Sequence, residues 1–129
     1  MSSLKLVAFD AEDLAVVSAH LEEATLSRTD MVWQKTAQRF VLVARRRDRE
    51  NAAAPQHLTG LHFERVTRVH TLGLPPDEAA PLKLMGIAFT ATDDPAGEIS
   101  LLVDGGVAMR LNVECLEAQM ADLADVETP

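Results

Sequence analysis

His62 and Glu64 are the residues whose types and spacing come closest to a metal site in this sequence. They lie two positions apart in a strand-like stretch, so their side chains point the same way and could share an ion. A third ligand is missing, because a continuous strand would hold His70 roughly 26 Å from His62. His20 and His57 fall in other segments that no sequence rule brings nearby. We therefore expect solvated or hydrogen-bonded histidines, no bound metal and no cofactor.

Candidate nucleophiles are equally sparse. Cys115 is the single cysteine, and a predicted helix start beside it would activate a thiol. The alternative is packing, because a free cysteine behaves as a small, usually buried apolar side chain. No serine stands in a G-x-S-x-G elbow, and Gly105-Gly106 lacks the further glycines and the lysine of a phosphate loop. The sequence therefore predicts no catalytic residue.

Basic residues concentrate in the middle of the chain. Residues 28–70 carry nine Lys or Arg against four acidic residues, whereas the net charge of all 129 residues is -8. If the strand regions of this segment are neighbours, their guanidinium groups form one face suited to carboxylates or phosphates. The predicted binding residues are Arg39, Arg45, Arg46, Arg47, Arg49, Arg65 and Arg68.

The sequence leaves several partners possible for this arginine face. It could bind an acidic protein, or it could meet an acidic end of a second copy and give a charge-guided homo-oligomer. An ordinary solvated arginine-rich loop, which needs no partner, is the third interpretation. Nucleic acid is disfavoured because the chain is acidic overall, has no tyrosine and has one tryptophan for base stacking.

Composition predicts one cytoplasmic domain. The length of 129 residues fits a single core, so we expect one domain over residues 1–129 with a frayed tail at 124–129. No apolar run approaches the roughly 20 residues of a membrane span, and residues 1–5 lack a signal pattern. A lone cysteine excludes an internal disulfide and fits a reducing cytosol. We therefore expect no membrane contact.

In the first half of the chain, the spacing of apolar and polar residues is typical of a strand, then a helix, then a hairpin. Residues 4–9 predict a strand, and Asp10 is a good N-cap for a helix that begins at Ala11. The helix would pack on the sheet through the stripe formed by Leu14, Val17, Leu21 and Ala24. Residues 31–45 predict a hairpin, and residues 46–57 an exposed loop broken by Pro55.

The second half predicts further strands and a closing helix. Residues 58–74 are strand-like, but their apolar phase slips, which a bulge or bend near Glu64-Arg65 would reconcile. Residues 82–91 predict another strand, and residues 99–113 a hairpin that turns at Asp104-Gly105-Gly106. Leu116, Met120 and Leu123 have the spacing of a terminal helix. The expected fold is α+β, a mainly antiparallel sheet of about seven strands with one helix after the first strand and one at the C-terminus.

Four stretches carry a resemblance to a known family: residues 4–14, Trp33 with Arg39-Phe40, residues 60–66 and residues 113–118. Together they resemble the bacterial family catalogued as domain of unknown function 2948, and the similarity covers nearly the whole chain. The resemblance implies a bacterial cytosolic single domain. It carries across no activity, cofactor, partner or catalytic residue.

Two functions from different classes follow. The first is a non-enzymatic binding or assembly module that uses the arginine face for an anionic partner or for self-association. The alternative is a small cytosolic enzyme whose site forms only in three dimensions, from His62, Glu64 and Cys115.

Overall fold

The computed structural model of the chain describes residues 4–47 and 56–126. These residues form ten strands, one α-helix and one short 3₁₀ turn at Arg28–Asp30. The helix, α1, spans Ala11–Leu21. The strands are β1 Lys5–Ala8, β2 Thr25–Leu26, β3 Met31–Gln34, β4 Arg39–Arg46, β5 Gln56–Phe63, β6 Val66–Leu72, β7 Leu82–Asp93, β8 Ala96–Val103, β9 Val107–Val113 and β10 Ala118–Val126. The expected seven strands with two helices are therefore wrong, although the antiparallel character of the sheet is confirmed.

The strands form one sheet that divides into two parts. Its order is β1-β10-β5-β4-β2-β7-β8-β9-β6, with β3 beside β4, and every pair is antiparallel. We call β1, β10, β5, β4 and β3 half-sheet A, and β7, β8, β9 and β6 half-sheet B. The two-residue strand β2 joins them, because Thr25 pairs with both Arg45 and Lys83.

A single apolar core lies between the inner faces of both half-sheets and α1. Phe63 and Leu101, one from each half-sheet, are both fully buried in it. Along each strand, residues that point into this core alternate with residues that point to the outer face, since successive side chains of a strand point to opposite sides. The outer faces of both half-sheets are therefore the surfaces on which polar groups of the strands gather.

Helix α1 forms as its sequence predicts. The Asp10 carboxylate accepts a hydrogen bond of 2.8 Å from the backbone N–H of Asp13, which caps the first turn. Leu14, Val17 and Leu21 are buried against the sheet. No helix among the described residues has the length and apolar content needed to cross a membrane.

The phase slip at Glu64-Arg65 marks the passage of the chain from half-sheet A to half-sheet B. Arg65 has a left-handed backbone with φ of +59°, so the segment forms two strands, β5 and β6, where sequence alternation indicated one. Three backbone hydrogen bonds hold this bend: Glu64 N–H to Glu117 O, Val66 N–H to Gln38 O, and Glu114 N–H to Arg65 O. The bend therefore fixes where the arginines on either side of it point.

The hairpin of β8 and β9 is confirmed. Its turn needs residues with positive φ, and Gly105 and Gly106 provide them at +85° and +78°. The β3–β4 hairpin also forms, with Met31 to Gln34 paired to Leu42 to Arg39.

The predicted terminal helix is wrong, because Ala118–Val126 is the strand β10. It lies between β1 and β5 and bonds to both, so its backbone groups are satisfied on two sides. Met120 is fully buried on the inner face, whereas Leu123 is 59% exposed. Met120 and Leu123 are three positions apart, a spacing that puts them on one side of a helix but on opposite faces of a strand. The tail expected to fray from residue 124 continues β10 to Val126, and residues 127–129 lie outside the described residues.

Candidate functional site

Strand β4 places its arginines on two opposite faces. Phe40, Leu42, Ala44 and Arg46 are buried on the inner face, while Arg39 and Arg45 are exposed on the outer face. Arg47 follows the end of the strand and is exposed, and Arg49 lies outside the described residues, as do residues 48–55 of the predicted loop. The expected arginine face is therefore divided within this one strand.

Arg46 belongs to a buried polar network. Its guanidinium donates to both carboxylate oxygens of Asp122, over 3.0 and 2.5 Å. The Thr59 hydroxyl donates to the same carboxylate over 2.7 Å, and the backbone N–H of Leu4 does so over 3.1 Å. The side chains of Arg46 and Asp122 are 7% and 5% exposed. This arginine therefore connects β4 to β10 and to the start of the chain, and it is not presented to a partner.

The network sets the protonation of Asp122. Burial by itself raises the pKa of this carboxyl, but the hydrogen bonds from Arg46, Thr59 and the Leu4 N–H, with the positive charge of Arg46, together hold the pKa below its ordinary value. Asp122 is thus kept in the charged form that Arg46 requires.

Arg39 bonds to Glu64, which together with His62 was the candidate metal pair of the sequence. Glu64 accepts hydrogen bonds from Arg39 Nε at 2.7 Å and from the second guanidinium nitrogen at 3.1 Å. His62 Nδ1 lies 2.8 Å from the same carboxylate. The expectation that His62 and Glu64 point the same way is confirmed, and their third neighbour is a guanidinium. In the described part of the chain, no three His, Cys, Asp or Glu side chains are grouped closely enough to hold a metal ion.

We expect the Arg39→Gln variant to raise the pKa of Glu64. The hydrogen bond from Arg39 is the largest cause that holds the pKa of Glu64 below its ordinary value, and it outweighs the opposing effect of partial burial. Because the Arg39 side chain is 46% exposed, solvent screens the pair and overall stability should change little. Carboxyl NMR titration of the two proteins measures the shift, and an unchanged Glu64 pKa would contradict this account of the triad.

The last two predicted residues lie beyond the bend. Arg65 is exposed in the bend itself, and Arg68 is exposed on the outer face of β6 in half-sheet B. There Arg68 lines a cleft of about 490 Å³, which we call the β6–β9 cleft. Its lining residues are Arg68, His70, Thr71, Leu72, Glu98, Ala108, Arg110 and Asn112.

Strand register explains why the cationic groups of this cleft converge. His70 lies directly opposite Arg110, and Arg68 lies opposite Asn112. Asn112 and Arg110 are two positions apart on β9 and therefore share a face, which makes Arg68 and Arg110 diagonal neighbours with Cβ atoms about 7–8 Å apart. Long side chains at that spacing can both reach one carboxylate or phosphate.

An apolar row borders the cationic row. Leu72 lies opposite Ala108, and Ala108 lies opposite Leu102 on the next strand. Leu72 and Leu102 are 68% and 49% exposed, which is unusual for leucine. The cleft therefore offers paired cations beside apolar surface.

Among the described residues that line the cleft, Glu98 is the single carboxylate. Its Oε1 lies 3.8 Å from Arg110 Nε, beyond hydrogen-bond distance, and Arg110 is 63% exposed. Such an exposed pair contributes little, so an incoming anion can replace Glu98 at Arg110. The charge of the lining, with two arginines and one glutamate, remains positive within an acidic protein.

Arg45 lines a smaller cleft of about 300 Å³. This cleft lies beside β2, β4 and β5, which are separated from β9 and β6 in the strand order. Asp30 lines it as well, together with Thr25, Leu26, Ser27, Val43, Leu58, Ala79 and Pro81. One arginine with one aspartate gives no net positive charge there, so this cleft is the weaker candidate for an anion.

Cys115 lies between β9 and β10, where the expected helix start is missing. It is half-buried and lines neither of the two clefts, and the same holds for His62 and Glu64. Neither cleft therefore contains the predicted enzyme residues, of which His62 and Glu64 contact each other outside both clefts.

Sequence analysis missed Arg110 and His70 as partners of Arg68. The alternation in β9 does place Arg110 and Asn112 on the face opposite Met109 and Leu111. The pairing of β6 with β9 joins segments about 40 residues apart, and no local pattern encodes such a contact.

Comparison with known proteins gives a family and no function. Neither the curated proteins nor the solved structures include a significant match to the chain. One family model matches residues 4–128, and its description is "Protein of unknown function (DUF2948)". The chain therefore belongs to the DUF2948 family, as the four sequence stretches indicated.

Proposed function

We propose that this protein is a binding module that holds an acidic protein segment in the β6–β9 cleft. The observation that supports it is the convergence of Arg68 and Arg110, with His70 between them in the strand ladder, on one open cleft. Guanidinium groups bind carboxylates through paired, charge-assisted hydrogen bonds.

The lining of the cleft favours a protein partner over a polyanion. Glu98 within the cleft and a net charge of -8 repel a dense row of phosphates. The Leu72, Ala108 and Leu102 row suits the apolar side chains of a peptide, and Asn112 can accept or donate a hydrogen bond. A segment that alternates acidic and apolar groups would satisfy both rows.

Binding without chemistry is supported by the character of the lining residues. They include no cysteine or serine, and the cleft is open to one side rather than enclosed. The proposal places the protein in the cytoplasm, where a thiol such as the half-buried Cys115 stays reduced.

We expect the double variant Arg68→Gln/Arg110→Gln to bind acidic peptide about 100-fold more weakly than the natural protein. Each lost charge-assisted hydrogen bond costs at least about 1.4 kcal/mol, which is tenfold in affinity. The probe is the blocked peptide Thr-Glu-Thr-Glu-Thr-Leu-Thr, which carries two acids and one apolar residue at alternate positions, titrated by calorimetry at low salt. Raising the salt concentration should weaken binding, because the contacts are exposed and screened.

The matched control is Arg45→Gln, which removes one exposed arginine from half-sheet A and leaves the β6–β9 cleft intact. Its affinity should equal that of the natural protein. A loss of about tenfold in Arg45→Gln, the same loss per charge as in the double variant, would show binding to overall charge. Loss in Arg45→Gln alone would return the site to β4, and either outcome contradicts the proposal. Light-scattering mass measurements would show whether the acidic segment comes from a second copy.

A further inference from the structure

The β6–β9 cleft includes the backbone edge of β6. Three consecutive residues of this strand, His70, Thr71 and Leu72, line it. Because consecutive side chains of a strand point to opposite faces, a cleft on one face alone would touch every second residue. The strand itself therefore borders the space in which a ligand would lie.

Strand β6 is the last strand of the sheet, and within residues 4–47 and 56–126 its one partner strand is β9. Its irregularity is confined to Val66–Arg68, after which residues 69–72 pair in regular register. Thr71 and Leu72 are exposed, and Val69 is half-buried. Such an edge leaves one row of N–H and C=O groups free to accept another strand.

We propose that the acidic segment binds as an extended strand added along the free edge of β6. This inference rests on the proposed function, and it specifies the conformation of the partner. Main-chain hydrogen bonds would supply affinity, while the side chains on the outer face would set specificity.

The outer-face residues of β6 predict the pattern of the partner. Arg68, His70 and Leu72 alternate along the strand at spacings of about 6.6 Å. An added strand would place every second side chain opposite them, so two acids and one apolar residue at alternate positions fit the edge. Its acids would also lie within reach of Arg110 across His70.

The β6 edge of a second copy does not fit this pattern. Two β6 strands paired edge to edge would bring both Arg68 side chains, with both Arg110 side chains behind them, onto one face. Like charges so placed are destabilising. Charge complementarity therefore selects an acidic segment as the occupant.

Two blocked peptides of equal composition test the inference. In the first, Thr-Glu-Thr-Glu-Thr-Leu-Thr, the acids and the leucine alternate and share one face of a strand. In the second, the two glutamates are adjacent and point to opposite faces. Affinity for the intact protein is measured by calorimetry, and backbone amide hydrogen exchange of residues 66–72 by NMR with each peptide in excess.

We expect the alternating peptide to bind about tenfold more tightly, and every second amide of β6 to exchange at least about tenfold more slowly in its presence. Equal affinities, or binding that protects no β6 amide, would overturn strand addition and leave the anion-binding cleft in place. Failure of both peptides to bind would overturn the proposed function as well.

Discussion

Replacing Arg46 with methionine is expected to destabilise the protein by about 3–5 kcal/mol, which is the cost of leaving a buried charge without its partner. Asp122 would lose two hydrogen bonds from the guanidinium and keep those from Thr59 and Leu4. Because Asp122 is 5% exposed, water cannot replace the lost donors. Urea unfolding of the variant and the natural protein measures the change.

The control is the double variant Arg46→Met/Asp122→Leu. Apolar replacement of a complete buried pair is often neutral or stabilising, so most of the lost stability should return. Recovery of the unfolding free energy would show that most of the loss in Arg46→Met comes from leaving the Asp122 charge without its partner. A single Arg46→Met variant as stable as the natural protein would contradict the assignment of Arg46 to the interior.

The same pair makes stability depend on pH in the acid range. The pKa of Asp122 is lowered in the folded state, so its contribution is fully present above the unfolded value of about 3.9. It is lost as the pH falls through the lower, folded pKa. The double variant should lack this component of the acid sensitivity.

Replacing Met120 with alanine is expected to cost about 2–5 kcal/mol, whereas Leu123→Ala should cost less than about 1 kcal/mol. The strand β10 buries Met120 completely and leaves Leu123 mostly exposed above Gly60. A terminal helix would instead place both residues on one buried stripe, so both replacements would then be costly.

Chemical denaturation of the two variants decides between these arrangements. Both substitutions remove atoms from similarly long apolar side chains, so the comparison isolates burial from side-chain chemistry. Equal losses of unfolding free energy at Met120 and Leu123 would count against the strand, and a large difference would support it.

Local structure could be predicted where the cause is itself local. The Asp10 cap, the apolar stripe of α1 and the Gly105-Gly106 turn each depend on residues close together in sequence. The β10 strand is different. Its helical spacing arises because Leu123 on the outer face is apolar like the buried Met120. The conformation of this segment depends on β1 and β5, which are distant in sequence.

Arg46 shows how a small boundary error changes a functional interpretation. Alternation had already placed Phe40, Leu42 and Ala44 on one face of β4, and one more residue of strand puts Arg46 there too. Ending the strand at Arg45 instead assigned Arg46 to an exposed loop and to the binding surface. The Asp122 that accepts its hydrogen bonds lies 76 positions away, beyond the reach of any local pattern.

The arginines of the basic segment thus have separate roles. Arg46 stabilises the interior, Arg39 donates to Glu64, and Arg68 joins Arg110 in the β6–β9 cleft. The arginines of this segment therefore differ in burial and in bonding, and only some of them line an exposed cleft.

Chemical-shift mapping with the blocked peptide Thr-Glu-Thr-Glu-Thr-Leu-Thr tests the central claim most directly, because it locates binding without any substitution. The account predicts that the largest shift changes fall on Arg68, His70, Arg110 and Asn112. Changes centred on Arg45 and Leu58, or no saturable change anywhere, would contradict a carboxylate-binding cleft between β6 and β9.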